Sequence, residues 1–354
     1  MDPSFFRVLE SKVRATFGAR ASIISFSQLA GDASSRRYYR ASLDGEQVPS
    51  SVVVMELSGK NLPLSSEELA IFPEPLAELP FLNLHRFLRR LGVRVPRLYG
   101  QWAEEGLLML EDVGDVSLWD AVQQLPFDEI AAWYEKAIDQ LLRIQIEGTR
   151  ARDENCIAFR QRFDFRLYMW EFEHFLEYGF DPQRLSPGQK RLLGRAFREI
   201  ATRLDGQSPY LNHRDYHSWN LMVYRGEIVV IDFQDALLAP LQYDLASLLN
   251  DRETDRLVSN DLERRLLDYY LEQHGDLEGR RLDRDEFIEI YLLSAIQRDL
   301  KVVGRFYYLD RVKGKPGYKR YIPPTLRRLK RTLQRCPGQE QILEVLAEHF
   351  AEMR

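Results

Sequence analysis

Within the segment LNHRDYHSWNLMVYRGEIVVIDFQDA, Asp215 and Asn220 stand five residues apart and Asp232 follows twelve residues later. A carboxylate, a carboxamide and a second carboxylate at this spacing are the groups that phosphoryl transfer needs. Its transition state carries charge on the equatorial phosphoryl oxygens, so catalysis rests on neutralising that charge and holding the nucleophile in line. Asn220 and Asp232 can each give an oxygen to a hard Mg²⁺ that keeps water and substrate phosphate oxygens as its other ligands. Asp215, on the same loop, is placed to accept the proton of a hydroxyl nucleophile. Any one of the three would pass as a turn residue or a helix cap. The joint pattern is what points to a kinase: H-x-D-x-H-x-x-N, then a short hairpin, then an apolar strand ending I-D-F.

The elements that must carry this loop are legible from periodicity. Phe5, Phe6, Leu9 and Val13 recur at helical spacing, and Gly18 follows. SIISFSQL (22–29), RYYRASL (37–43) and SVVVMEL (51–57) are rich in β-branched and aromatic residues and are divided by turn-like GDASS and DGEQVPS, which predicts an antiparallel three-stranded meander. Phe81, Leu84, His85, Leu88 and Leu91 trace a helix face ended by Gly92 and Pro96, and RLYGQW and LLMLED read as two more strands. After Gly114 the pattern turns helical, with a stripe of Ile130, Trp133, Ala137, Leu141 and Ile144 and an aromatic helix in FDFRLYMWEFEHFLEYG. NLMVY and EIVVID are the clear strands of this half, joined at Arg225 and Gly226. The expected fold is α+β, with a five-stranded antiparallel lobe over residues 1–113 and a larger, mostly helical lobe over 114–354.

Composition agrees with this division and excludes other classes. At 354 residues the chain exceeds the roughly 250–300 residues at which a single core stops growing. With 49 basic and 54 acidic side chains the formal net charge is −5, which argues against a general nucleic-acid binder. No window approaches the ~18 apolar residues of a membrane span, and the N-terminus has no apolar leader segment, so a cytoplasmic location is expected. Cys156 and Cys336 make no disulfide framework and fit no zinc spacing. The most biased stretch is the basic tract Arg311–Arg335, which reads either as a solvated face or as an attraction for an acidic substrate.

HRDYHSWN with IDF resembles the catalytic and metal-binding loops of the aminoglycoside phosphotransferase and choline kinase group, which share the bilobal architecture of protein kinases. GDASSRRYYR, LEDVGD, HRDYHSWNLM, IDFQDA and AIQRDLKVVGRF together look like the bacterial anomeric kinases of N-acetylmuramate and N-acetylglucosamine. That resemblance implies ATP as donor, Mg²⁺ as cofactor, the C1 hydroxyl of a free amino sugar as acceptor, and a place in cell-wall recycling. It makes Asp215 the base and Asn220 and Asp232 the metal ligands. His213 then either braces the loop or touches substrate, His217 orders the loop, and Arg214 is either solvent-facing or a phosphate or substrate contact.

At the nucleotide end, Gly31, Asp32, Ala33, Ser34 and Ser35 occupy the turn that in such lobes covers phosphates with backbone N–H groups. LLMLEDVGD resembles the hinge, where Glu111 and Val113 would read adenine through main-chain groups. The third strand departs from the pattern, because SVVVMELSGK has Met55 and Glu56 where V-A-I-K places its lysine. Either Lys60 reaches back, or Arg37 or Arg40 supplies the charge. At the acceptor end, Asp235 is a sugar-hydroxyl ligand or a helix N-cap. On the late helix Ile290, Leu293, Ile296, Leu300 and Val303 form the core stripe, and Gln297, Arg298 and Lys301 lie off it as a wall of the acceptor pocket. An aminoglycoside, choline or homoserine kinase is the nearest alternative, and a non-catalytic nucleotide-binding module the more distant one. Arg37→Ala and Arg40→Ala, assayed separately, should raise the KM for nucleotide in at least one case; an unchanged KM in both would refute the arginine assignment.

Overall fold

The computed structural model describes residues 3–29, 37–57, 78–102, 104–180 and 185–354. They form two compact units, one drawn from Met1–Ala77 and Val95–Asp115, the other from Glu78–Arg94 and Val116–Arg354.

The first unit is a helix packed on a sheet. Strands β1 (Ser22–Gln28), β2 (Arg37–Asp44), β3 (Ser51–Glu56), β4 (Leu98–Trp102) and β5 (Leu107–Glu111) are ordered β1-β2-β3-β5-β4 and antiparallel throughout. The three-strand meander is as the sequence predicts, and β5 then inserts between β3 and β4. Period-two alternation sends Tyr39, Ala41 and Leu43 of β2 inward beside Val52, Val54 and Met109, where they meet Leu9 and Val13 of helix α1 (Pro3–Phe17). Phe5, Phe26 and Tyr39 cap this core, with the Phe26 and Tyr39 rings stacked at 4.9 Å.

The second unit begins with helix α2 (Pro80–Arg90). The sequence placed this helix in the first lobe. It belongs to the second unit because its buried face finds its partners there: Phe81 stacks on Phe233 at 4.9 Å, Phe87 meets Phe159 edge-on, and Asn83 exchanges hydrogen bonds with the main chain of Asn155 and Ile157. Helices α3 (Leu118–Val122) and α4 (Phe127–Leu142) follow, the latter continued by a wider turn at Arg143–Glu147. On α4 the predicted stripe holds except at Trp133, which is half-buried beneath Lys136 while Tyr134 takes the interior. Helices α5 (Phe165–Tyr178) and α6 (Pro187–Asp205) lead into β6 (Tyr210–Asn212). The hairpin β7 (Leu221–Tyr224) and β8 (Glu227–Val230) turns through Arg225 and Gly226, both at positive φ, and β9 (Leu237–Ala239) pairs with β6.

The remaining helices are α7 (Gln242–Leu249), α8 (Asn260–Glu278), α9 (Arg284–Arg311), α10 (Ile322–Arg335) and α11 (Glu340–His349). The 28-residue α9 is the axis of this unit, packed against α5, α7 and α10. Its predicted stripe is buried, and so are Gln297, Arg298 and Asp299, because helices cover it on several sides. Cys156 and Cys336 are free and buried, and burial pushes both thiols up to about 11. Among the described residues no helix is long and apolar enough to cross a membrane.

At Gly304 α9 lies directly against the α5 backbone: a Cβ there would lie 2.7 Å from the Phe175 Cα and 3.1 Å from its N. Gly304→Ala gains ~1 kcal/mol of helix propensity against ~1–3 kcal/mol for overpacking a backbone contact. Its urea unfolding midpoint should therefore fall; a rise would show that the two helices separate at little cost.

Candidate active site

The loop between β6 and β7 carries Asp215, and buried charge holds it in place. Asp244, fully buried on α7, accepts hydrogen bonds from the backbone N–H groups of His213 and, at 3.0 Å, Arg214. The His213 ring closes against the segment just after β8: its Nε2 donates to the Ile231 carbonyl at 2.9 Å. Burial lowers the His213 pKa, keeping the ring a neutral donor. Arg214 takes φ +82°, a left-handed conformation that costs a non-glycine residue ~1–3 kcal/mol and persists only where its surroundings over-determine it. Here they do, since the Arg214 carbonyl accepts from Arg298 Nη1 at 2.9 Å while its N–H is held by Asp244.

Asp215 emerges from this turn with 39% of its side chain exposed and its Oδ1 3.7 Å from Arg298 Nη1. Burial raises its carboxyl, but Lys301, Arg298 and Arg214 outweigh that and hold it well below the ordinary carboxylate range. Two of these cations, Lys301 and Arg214, are held by Glu171 of α5, itself 1% exposed. Glu171 lies 3.1 Å from Lys301 Nζ and 3.7 Å from Arg214 Nη2, and accepts from Gln297 Nε2 at 2.6 Å.

Asn220 donates its side-chain N–H to the Asp215 carbonyl at 3.0 Å, which leaves its amide oxygen as the group to offer a metal. Ile231 donates its N–H to the Asn220 carbonyl at 3.0 Å, so Asp232 comes next along the neighbouring segment. Asp232 is exposed and left-handed at φ +61°, with Oδ1 accepting from Gln234 at 2.9 Å. Among the described residues no group of three or more acidic, histidine or cysteine side chains forms a metal cluster. A carboxamide oxygen and a carboxylate nonetheless fit Mg²⁺, which completes its shell with water and phosphate oxygens.

Gly31, Asp32, Ser34, Ser35 and Lys60 lie outside the described residues. Arg40 makes a fork with Asp112 at 2.6 and 2.9 Å and reaches Asp115 at 2.6 Å, so a phosphate role would require it to leave two carboxylates. Arg37 is 58% exposed, with Glu56 3.5 Å away. The Glu111 N–H already bonds the Arg97 carbonyl and Val113 is buried. Asp235 accepts from Gln234 at 3.3 Å; it caps no helix, because β9 begins at Leu237. His213, Arg214 and Arg298 are at most 4% exposed. As an open wall of an acceptor pocket, Arg298 is therefore misplaced in the sequence reading; Lys301, at 13%, is nearer to that description.

Several participants were not singled out from sequence. Asp244 is the one charge in the apolar run LQYDLASLL, and that isolation was its signal. Asp251, 3% exposed, lies 3.6 Å from His217 Nε2. Arg252, left-handed at φ +41°, stacks over Trp219 at 4.8 Å and Tyr321 at 5.6 Å, and Trp219 stacks on Trp119. Much of the basic tract proves committed. Arg328 is buried in a fork on Asp299, Arg331 meets Asp255 and Arg335 meets Glu263.

A family model described as "Phosphotransferase enzyme family" matches residues 25–283. The chain belongs to that phosphotransferase family. Proteins named N-acetylmuramate/N-acetylglucosamine kinase are similar to it along most of its length. The one from Neisseria meningitidis serogroup B is 29% identical over 90% of this chain and 89% of its own. The one from Pseudomonas aeruginosa is 29% identical over 89% and 86%, and that from Caulobacter vibrioides 28% over 83% and 84%. Among solved structures, the ADP-bound aminoglycoside phosphotransferase APH(2'')-Ib matches with a TM-score of 0.59 at 14% identity, covering 92% of this chain and 97% of that one. Choline kinase LicA from Streptococcus pneumoniae matches at 0.59 and 15%, covering 94% and 99%. The fold of this phosphotransferase is thus the kinase-like one that the motif implied.

Removing one partner of the buried pair beneath this site should be far costlier than removing both. Arg328→Leu strands Asp299 and should cost ~3–5 kcal/mol in urea unfolding, whereas Arg328→Leu with Asp299→Leu should recover most of it. Equal losses in the two variants would mean that the pair is not a buried charge couple.

Proposed function

We propose that this phosphotransferase moves the γ-phosphoryl group of ATP, with Mg²⁺, to a hydroxyl of an N-acetylated amino sugar, the C1 hydroxyl of N-acetylmuramate or N-acetylglucosamine. The observation that carries the reaction type is the joint placement of Asp215, Asn220 and Asp232 on one buried scaffold. The acceptor rests on the relatives of that name, which align along 83–93% of the chain.

In this reading Asp215 accepts the proton of the sugar hydroxyl as its oxygen bonds to the γ-phosphorus and the bond to the β–γ bridging oxygen breaks, releasing ADP. A carboxylate held ionised by three cations is a weak base but a firmly oriented acceptor, which suits a transition state that transfers its proton late. Asn220 and Asp232 would hold Mg²⁺, which when bound neutralises charge on the phosphate oxygens. Arg37, Glu111 and Val113 would serve the nucleotide, with the 31–35 turn, and Lys301 and Asp235 the acceptor. Lys301, Arg298 and Arg214 near Asp215 also disfavour a polycationic aminoglycoside or a choline-like cation, which would have to approach against their charge.

Coupled ADP release over a panel of N-acetylmuramate, N-acetylglucosamine, glucose, choline and kanamycin should show turnover with the N-acetylated sugars. Turnover confined to choline or kanamycin would replace the acceptor assignment, and no turnover with any sugar would sink it. Asp215→Asn should remove turnover, by on the order of 10²–10⁴-fold, while nucleotide still binds in calorimetry. Near-normal turnover in that variant would exclude Asp215 as the base.

A further inference from the structure

The turn that presents Asp215 is held by two buried charges of opposite sign. Asp244 takes the N–H groups on one side, and Arg298, 84 residues away in sequence from Arg214, donates to the carbonyl on the other. Arg298 is 2% exposed. Among the described residues the one carboxylate paired with it within 4 Å is Asp215, at 3.7 Å. A buried arginine normally recovers its desolvation from a short, forked carboxylate pair, as Arg328 does with Asp299. Arg298 instead spends its short hydrogen bond on a neutral carbonyl in the peptide that precedes the catalytic carboxylate, and its guanidinium lies 5.5 Å from the Tyr243 ring centre.

We propose that Arg298 is a positioning residue for phosphoryl transfer: it fixes the Arg214–Asp215 peptide and thereby aims the Asp215 carboxylate, without touching the acceptor. A guanidinium suits this task because one planar group gives a directed N–H to the carbonyl and keeps positive charge beside the carboxylate, which an amide side chain cannot do. Its neighbours keep it there. Gln297 and Lys301 of the same helix are tied to Glu171, and Gly304 seats α9 directly on the α5 backbone, so α9 cannot slide without disturbing the turn.

The proposal rests on the phosphotransferase reading, and one of its two tests does not depend on turnover. In steady-state assays with the sugar that the wild-type protein uses, Arg298→Gln should lower kcat by about 100-fold, the loss that a small misplacement of a reacting group can produce. The KM for acceptor should stay within about threefold, and Arg298→Lys should restore about tenfold of the lost kcat. Hydrogen exchange in peptides covering residues 211–217 should quicken in Arg298→Gln, with peptides of α4 unchanged. A raised acceptor KM at unchanged kcat would overturn the proposal by making Arg298 an acceptor ligand, and unaltered exchange at 211–217 would overturn it by showing that the turn does not need the cation. If Arg298→Gln fails to fold, Arg298→Lys carries the same test, with kcat reduced at unchanged acceptor KM expected and unchanged kcat overturning. A wild-type protein inactive on every acceptor would defeat the kinase reading alone, and the exchange comparison would still decide the role of Arg298.

Discussion

The Asp244 carboxylate, accepting two backbone N–H groups in the interior of the helical unit, is the interaction on which the Asp215 loop depends. A loop cannot be buried with its peptide groups unpaired, and His213 and Arg214 are buried on a stretch too short to satisfy them within a sheet. A side-chain acceptor from α7 takes their place. Burial pushes Asp244 up to about 7 even with those two bonds, a sign of how far from water the loop's anchor lies. The left-handed turn at Arg214 and the orientation of Asp215 both follow from that anchor.

Placing one carboxylate so deeply has consequences for every charge nearby. Glu171 and Asp251 lie in this interior beside the part-exposed Asp215, and Arg214, Arg298, Lys301 and Arg252 are drawn in to balance them. Such a network holds its members by mutual attraction in a medium of low polarity, where an unpaired charge would be prohibitive. It also explains why α9 is buried through its middle although it carries Gln297, Arg298 and Asp299 in succession. Each of these polar side chains has a partner waiting on α5, the Arg214–Asp215 loop or α10.

The sheet unit shows the same economy at smaller scale. Alternation along β2 sends Tyr39 and Ala41 to the core and Arg40 to the other face, where Asp112 gathers the arginine, the Ser51 hydroxyl and the Gly114 N–H. Burial raises Asp112, but these bonds bring it below the ordinary carboxylate range. The end of β5 is thus pinned to β2 and β3, and an arginine that looked available for phosphate in sequence has a structural occupation.

By itself the sequence determined whatever is local. Period-two alternation and turn residues placed the five strands to within a residue or two, helical stripes placed α1, α2, α4 and α9, and the kinase-like motif at Asp215, Asn220 and Asp232 pointed to the phosphotransferase family, because each pattern is local in the chain. Tertiary structure decided what depends on partners far along the chain. Asp244 became an anchor, Arg298 an interior cation, Arg328 half of a buried pair, and α2 part of the helical unit. The physical reason is the same in each case. A charged or amphipathic side chain announces that it needs a partner, but burial sets how strong that need is, and burial exists only once distant helices have closed around it.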